Sequence, residues 1–165
     1  LNLQNGSKSN LSNSISNAIF DSQVIPGVWM HVETYHDSTT SQTVAKITGL
    51  VNKDAIPDKT IFSFPATVQD PSGKSYPLFG IGDGAFNNVH LFKTKCGGLT
   101  FKDATNLRFI DPNAFNSFGN FQESNIVTVF PSSITKFGTG SFQNCPLLTI
   151  EFTEKDPRKI TYGNA

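Results

Sequence analysis

The residues best suited to chemistry in this chain are few and scattered. The histidines are His31, His36 and His90. His31 and His36 fall on opposite faces of one alternating segment, so they do not form a ligand pair. His90 adjoins Leu91 and Phe92 and reads as a surface loop residue. The cysteines are Cys96 and Cys145. Their spacing matches no zinc pattern, because a tetrahedral site needs more ligands than they and the nearby histidines supply. Asp83 and Asp111 invite a paired-carboxylate role in glycoside hydrolysis. They stand at neighbouring rather than identical places in two similar hexapeptides, and capping of a short helix accounts for both. No Gly-x-Ser-x-Gly elbow is present, so the many serines do not assemble into a recognisable hydrolase motif. "DPSGK" (70–74) ends in Gly-Lys but lacks the phosphate-loop spacing, and its Pro71 and Gly73 suit a β-turn. These residues predict no enzyme, no cofactor and no metal.

Composition narrows the partners. The chain of 165 residues carries 13 Lys+Arg and 13 Asp+Glu, a net charge of zero. No basic stripe is visible, which argues against nucleic acid. No apolar run approaches the roughly 18–20 residues of a membrane-spanning helix. The 15 phenylalanines are the unusual feature, and all but Phe20 lie at or after Phe62. The two parts of the chain are therefore expected to have different cores.

Three segments follow. Residues 1–23 are rich in Asn and Ser and read as a flexible stalk, with a short amphipathic helix over 11–20 as one option. Asn5-Gly-Ser7 and Asn10-Leu-Ser12 fit the N-glycosylation pattern. Residues 24–59 hold a β-hairpin. "VWMHVETYH" (28–36) places Val28, Met30, Val32 and Thr34 on one face and Trp29, His31, Glu33 and Tyr35 on the other. "TVAKITGLVN" (43–52) is the second strand, and 37–42 is the loop between them. A lone hairpin is marginal in water, so it must cap what comes next.

Residues 60–165 carry about three repeats. "IGDGAF" (81–86), "IDPNAF" (110–115) and "FGTGSF" (137–142) align on Phe86, Phe115 and Phe142. Large apolar residues precede them at Ile81, Ile110 and Phe137, and small ones at Ala85, Ala114 and Ser141. Three residues later come Val89, Phe118 and Cys145. A β-like run follows each unit. The expected fold is an α/β repeat: a short, irregular solenoid with a strand and a short helix or turn per repeat, in which the hexapeptide is a structural corner.

The pattern resembles the BspA-like leucine-rich repeats of surface proteins in several bacteria and some protozoan parasites. "FGTGSFQNCPLLTIEF" (137–152) carries the resemblance, including Cys145 and Leu148, as does the Pro131-x-x-Ile134 turn. The spacing of 29 and 27 residues between corners exceeds that family's period. The resemblance implies a leucine-rich-repeat solenoid in a secreted or surface-anchored protein that binds other proteins, often in host adhesion. Units two layers apart hold Cys96 and Cys145, about 10 Å from each other before any offset, so two free thiols are expected.

The function expected is non-enzymatic protein binding at the cell surface, with a host or extracellular-matrix protein as partner. Candidate contact residues are Phe92, Phe118 and Phe121 in the insertions, and Trp29 and Tyr35 on the hairpin. The alternatives are a structural spacer or assembly module of a longer protein, and a carbohydrate-binding module.

Overall fold

The computed structural model describes residues 17–153 and 160–163. The suggested glycosylation sequences and most of the expected stalk lie outside them. The chain is built from strands. β1 (Ile19–Ile25), β2 (Val28–Asp37) and β3 (Gln42–Leu50) form an antiparallel meander. The alternation read from 28–36 is the observed one: Val28, Met30, Val32 and Thr34 are buried, and Trp29 and His31 face outward. Asp37 closes the turn between β2 and β3 by accepting from the Thr40 N–H at 2.8 Å and the Thr40 hydroxyl at 2.7 Å. β1 begins at Ile19, inside the stretch expected to be stalk.

The remaining strands are β4 (Thr60–Ser63), β5 (Thr67–Gln69), β6 (Ser75–Ile81), β7 (Cys96–Thr100) and β8 (Phe109–Ile110). They are followed by β9 (Thr128–Phe130), β10 (Lys136–Phe137), β11 (Ile150–Phe152) and β12 (Thr161–Tyr162). The main sheet has eight strands, in the order β12-β10-β8-β6-β3-β2-β1 with β5 antiparallel on β6. It is mixed. The strands from β3 to β12 run parallel, and β3, β2 and β1 alternate. Two small parallel sheets, β4–β7 and β9–β11, complete the set.

This corrects the expected α/β leucine-rich-repeat solenoid. Among the described residues there is no α-helix, only 3₁₀ turns at Lys53–Ala55 and Lys93–Lys95. The hairpin joins the same sheet as the segment that follows it, because β3 pairs directly with β6. The backbone of the hexapeptides explains the missing helices. Gly84, Asn113 and Gly140 occupy the same corner position with φ of 62°, 58° and 66°. Asn88, Ser117 and Asn144 repeat a left-handed residue four places on, at 58°, 55° and 54°. Left-handed residues at this spacing break an α-helix, and Gly and Asn adopt that conformation most readily. Asp83 and Asp111-Pro112 therefore start tight turns, not helices.

The corners nevertheless stack on one another. The N–H groups of Gly84, Phe86 and Asn88 donate to the carbonyls of Pro112, Ala114 and Asn116. Those of Asn113, Phe115 and Ser117 donate in the same way to Thr139, Ser141 and Gln143. One row of side chains crosses the sheet in register: Phe20, Val32, Ile47, Ile81, Ile110, Phe137 and Tyr162. From Val32 to Phe137 this row is buried.

Phenylalanine fills the space behind the sheet in two ladders. Phe86, Phe115 and Phe142 stack with centroids 5.1 Å apart at each step. Phe64, Phe101 and Phe130 stack at 5.2 Å. The separations follow the strand spacing of about 4.8 Å, so the backbone ladder sets the ring ladder. Rings of the two ladders meet edge-on, as Phe101 does with Phe115 at 77°. Such pairs contribute about 0.5–1.5 kcal/mol beyond burial itself.

Candidate functional site at the open end of the stack

The repeat positions all serve the core. Ile81, Phe86, Ile110, Ala114 and Phe115 are inaccessible, and Ala85, Phe137, Ser141 and Cys145 are buried. Phe142 is only half-buried, because it ends its ladder. Phe118 and Phe121, expected as contact residues if exposed, are buried instead. Phe118 packs edge-on against Phe62 at 5.0 Å and stacks with Phe121 at 5.6 Å. The insertions fold inward and extend the core.

Phe92 stays outside, 79% exposed, at the start of the Lys93–Lys95 turn. Trp29 is 51% exposed on the outer face of β2, opposite Gln23 of β1. Tyr35 is half-buried under Lys46, whose ammonium lies 5.9 Å from the ring centroid. Its hydroxyl is pushed up to about 12, first by burial and then by the charges of Asp37 and Asp111. These three do not form one patch with Phe118 and Phe121.

The other candidates resolve individually. His31 Nδ1 lies 2.6 Å from Asp21 Oδ1 on the outer face of the β1–β2 pair. His90 is in a left-handed loop, φ 52°, and its N–H donates to the Ser117 carbonyl. Asp70 caps its own turn, holding the Ser72 hydroxyl at 2.6 Å and the Lys74 N–H at 3.0 Å, and these bonds keep its carboxyl below the usual range. Asp111 is raised, chiefly by burial, while Lys136 and Lys46 oppose the rise and Asp83 adds to it. Asp111 is partly buried and Asp83 exposed, each in the turn that starts its own corner. Among the described residues no group of three or more His, Cys, Asp and Glu side chains could hold a metal.

Cys96 and Cys145 are both free and buried. The Cys96 thiol points at the Leu91 and Phe92 carbonyls. Burial raises both thiols, Cys145 to about 12, and each sits beside Gly119.

The most distinctive surface is one the sequence reading did not single out. At the β11–β12 end, Phe130, Phe137, Phe142, Leu147, Phe152 and Tyr162 line an apolar groove of about 370 Å³. Around it large apolar side chains remain exposed: Leu148 45%, Ile150 52%, Phe152 38% and Tyr162 56%. Among the described residues β11 pairs only with β9, and β12 only with β10. The next donors in the corner series are the N–H groups of Gly140, Phe142 and Asn144. Among the described residues no backbone carbonyl faces them. The signal in the sequence was "LLTIEF" (147–152), apolar at Leu147, Leu148, Ile150 and Phe152, so that neither face of the strand is wholly polar. An interior strand takes this form when both faces are covered.

Compared with protein-family models, with curated proteins and with solved structures, the chain matches none.

Proposed function

We propose that the chain is a non-enzymatic protein-binding module of a cell surface, acting in adhesion or host interaction. The observation that carries this reading is the apolar groove rimmed by Ile150, Phe152 and Tyr162 and bordered by β11 and β12, each of which has one paired edge among the described residues. Exposed apolar clusters of this kind mark contact sites, and open edges accept an added strand from a partner. The extracellular placement rests on the resemblance described above. The test is binding of the tagged chain to intact host cells and immobilised extracellular-matrix proteins. Saturable binding lost in a folded Ile150→Ser, Tyr162→Ser variant supports the reading. Binding kept by that variant moves the contact elsewhere, and no binding to any target rejects adhesion in favour of a spacer or assembly module.

One observation favours a carbohydrate-binding alternative. A second groove of about 690 Å³ runs between β1 and β5, where exposed Trp29 stands with Gln23, Gln69, Asp21 and Asp70. An aromatic face beside amides and carboxylates suits a sugar ring. Glycan-array binding abolished by Trp29→Ala would favour it, and an array without hits would reject it.

A further inference from the structure

We infer that the groove between β1 and β5 binds an uncharged oligosaccharide, stacked on Trp29 and held by amide and hydroxyl groups. The inference rests on the carbohydrate reading and specifies its ligand. It is separate from the apolar groove, because β1 and β12 stand at opposite ends of the main sheet. The volume of about 690 Å³ falls within the range of about 300–1,000 Å³ typical of small-molecule sites. Trp29 supplies the aromatic wall, 51% exposed and directly across the β1–β2 pair from Gln23. Gln23 is held in place: its Oε1 accepts from the Gly27 N–H at 2.6 Å, which leaves the Nε2 protons for a ligand. Ser22 is an independent observation. It lines the same groove with buried Val68 and is itself only 7% exposed, yet its hydroxyl has no hydrogen-bond partner among the described residues. A hydroxyl so nearly buried is costly to leave unbonded, and a ligand hydroxyl entering the groove supplies the bond.

Charge selects the class of glycan. Among the described residues no Lys, Arg or His lines the groove, so a sulfated or carboxylated sugar finds no counter-ion there. The two carboxylates that do line it already hold donors. Asp21 Oδ1 lies 2.6 Å from His31 Nδ1. Asp70 accepts from the Ser72 hydroxyl, the Lys74 N–H and, at 3.2 Å, the Tyr76 hydroxyl. Their remaining lone pairs suit sugar hydroxyls, and they repel an anion. Gln23, Thr67 and Gln69 complete the lining with uncharged groups that both donate and accept. An aromatic plate surrounded by such groups matches a pyranose, whose C–H face stacks on the indole while its hydroxyls pair with the amides.

Trp29 is the only tryptophan in the chain, so its fluorescence reports this groove alone. The probes are short oligomers of neutral hexoses and N-acetylhexosamines, with sulfated and uronic-acid oligomers of the same length, titrated into the full chain and also presented immobilised. The expected result is a saturable fluorescence change with at least one neutral oligomer, bound at least about tenfold more tightly than any acidic one. Trp29→Ala should abolish retention on the immobilised neutral oligomer. Ser22→Ala should weaken binding about three- to tenfold without lowering the urea midpoint, because it removes a hydroxyl that has no partner in the free chain. Acidic oligomers bound as tightly or more tightly, and lost in Trp29→Ala, would overturn the uncharged class and leave the carbohydrate reading standing. Neutral binding kept by Trp29→Ala would place the ligand elsewhere and overturn the inference. No response to any glycan would reject the inference and the carbohydrate reading together, as would a response to an oligolysine peptide alone.

Discussion

The rings of Phe115 and Phe142 lie 5.1 Å apart and within 6° of parallel, and the Phe115 N–H donates to the Ser141 carbonyl at 2.7 Å. One backbone bond and one ring contact thus repeat together from corner to corner. That coupling makes the core directional, and it leaves Phe142 half-covered at the end of the series.

Phe115 should be the most costly single phenylalanine to remove, since it contacts Phe64, Phe86, Phe101, Phe118 and Phe142. Phe115→Ala is expected to destabilise by about 3–5 kcal/mol. Phe92→Ala, at an exposed site, should change stability by no more than about 0.5 kcal/mol. Urea unfolding of the two variants measures the difference.

Gly84 separates backbone strain from crowding. Its φ is 62°, and a Cβ there would meet nothing closer than Asn87 Cβ at 3.9 Å. Gly84→Ala should therefore cost about 1–2 kcal/mol from the backbone alone. Gly84→Asn should cost clearly less, because Asn113 already holds the same conformation one corner on. Comparison of their denaturation midpoints tests whether the left-handed turn specifies the corner.

How much of this was legible in the sequence differs from element to element. The hairpin was, because residues 28–36 alternate without interruption. The three corners were, because Phe86, Phe115 and Phe142 share their small and apolar neighbours. Their conformation was misread. Asp111-Pro112 has the composition of a helix start, while the left-handed Gly84, Asn113 and Gly140 that decide against a helix are recognised only once the backbone is seen. β1 was hidden because Ser22 is buried in it and an Asn/Ser-rich tail precedes it. The burial of Phe118 and Phe121 depends on how the insertions fold back, which local pattern does not encode. The open end arises only when β9, β10, β11 and β12 come together.

The thiols give a pH dependence with a definite sign. Burial raises Cys145 from 9.0 to about 12 in the folded chain. Above pH 9 the unfolded chain loses this proton first, so it binds fewer protons than the folded chain and stability falls as pH rises. The contribution is fully present below about pH 9 and is lost between there and about pH 12. Tyr35, raised from 10.0 to about 12, adds to the same decline above pH 10. Urea midpoints at pH 8 and pH 10.5 should differ, and Cys145→Ala should flatten the slope. Both thiols should resist iodoacetamide at pH 8 until urea unfolds the chain.

The surface residues should separate function from folding. Ile150→Ser with Tyr162→Ser should leave the circular dichroism spectrum unchanged, because both side chains are more than half exposed. Phe118→Ser should disrupt folding outright. A variant pair with the opposite behaviour would place the core elsewhere.

The most direct measurement is amide hydrogen exchange of the free chain, resolved by residue. The Phe86 and Phe115 amides, bonded to Ala114 and Ser141, should exchange slowly. The Phe142 amide, with the same backbone but no carbonyl opposite it among the described residues, should exchange faster by at least about a hundredfold if closure of such a bond confers some 2.7 kcal/mol of local protection. Protection of Phe142 equal to that of Phe115 would contradict an open, donor-lined end, and with it the site proposed for binding.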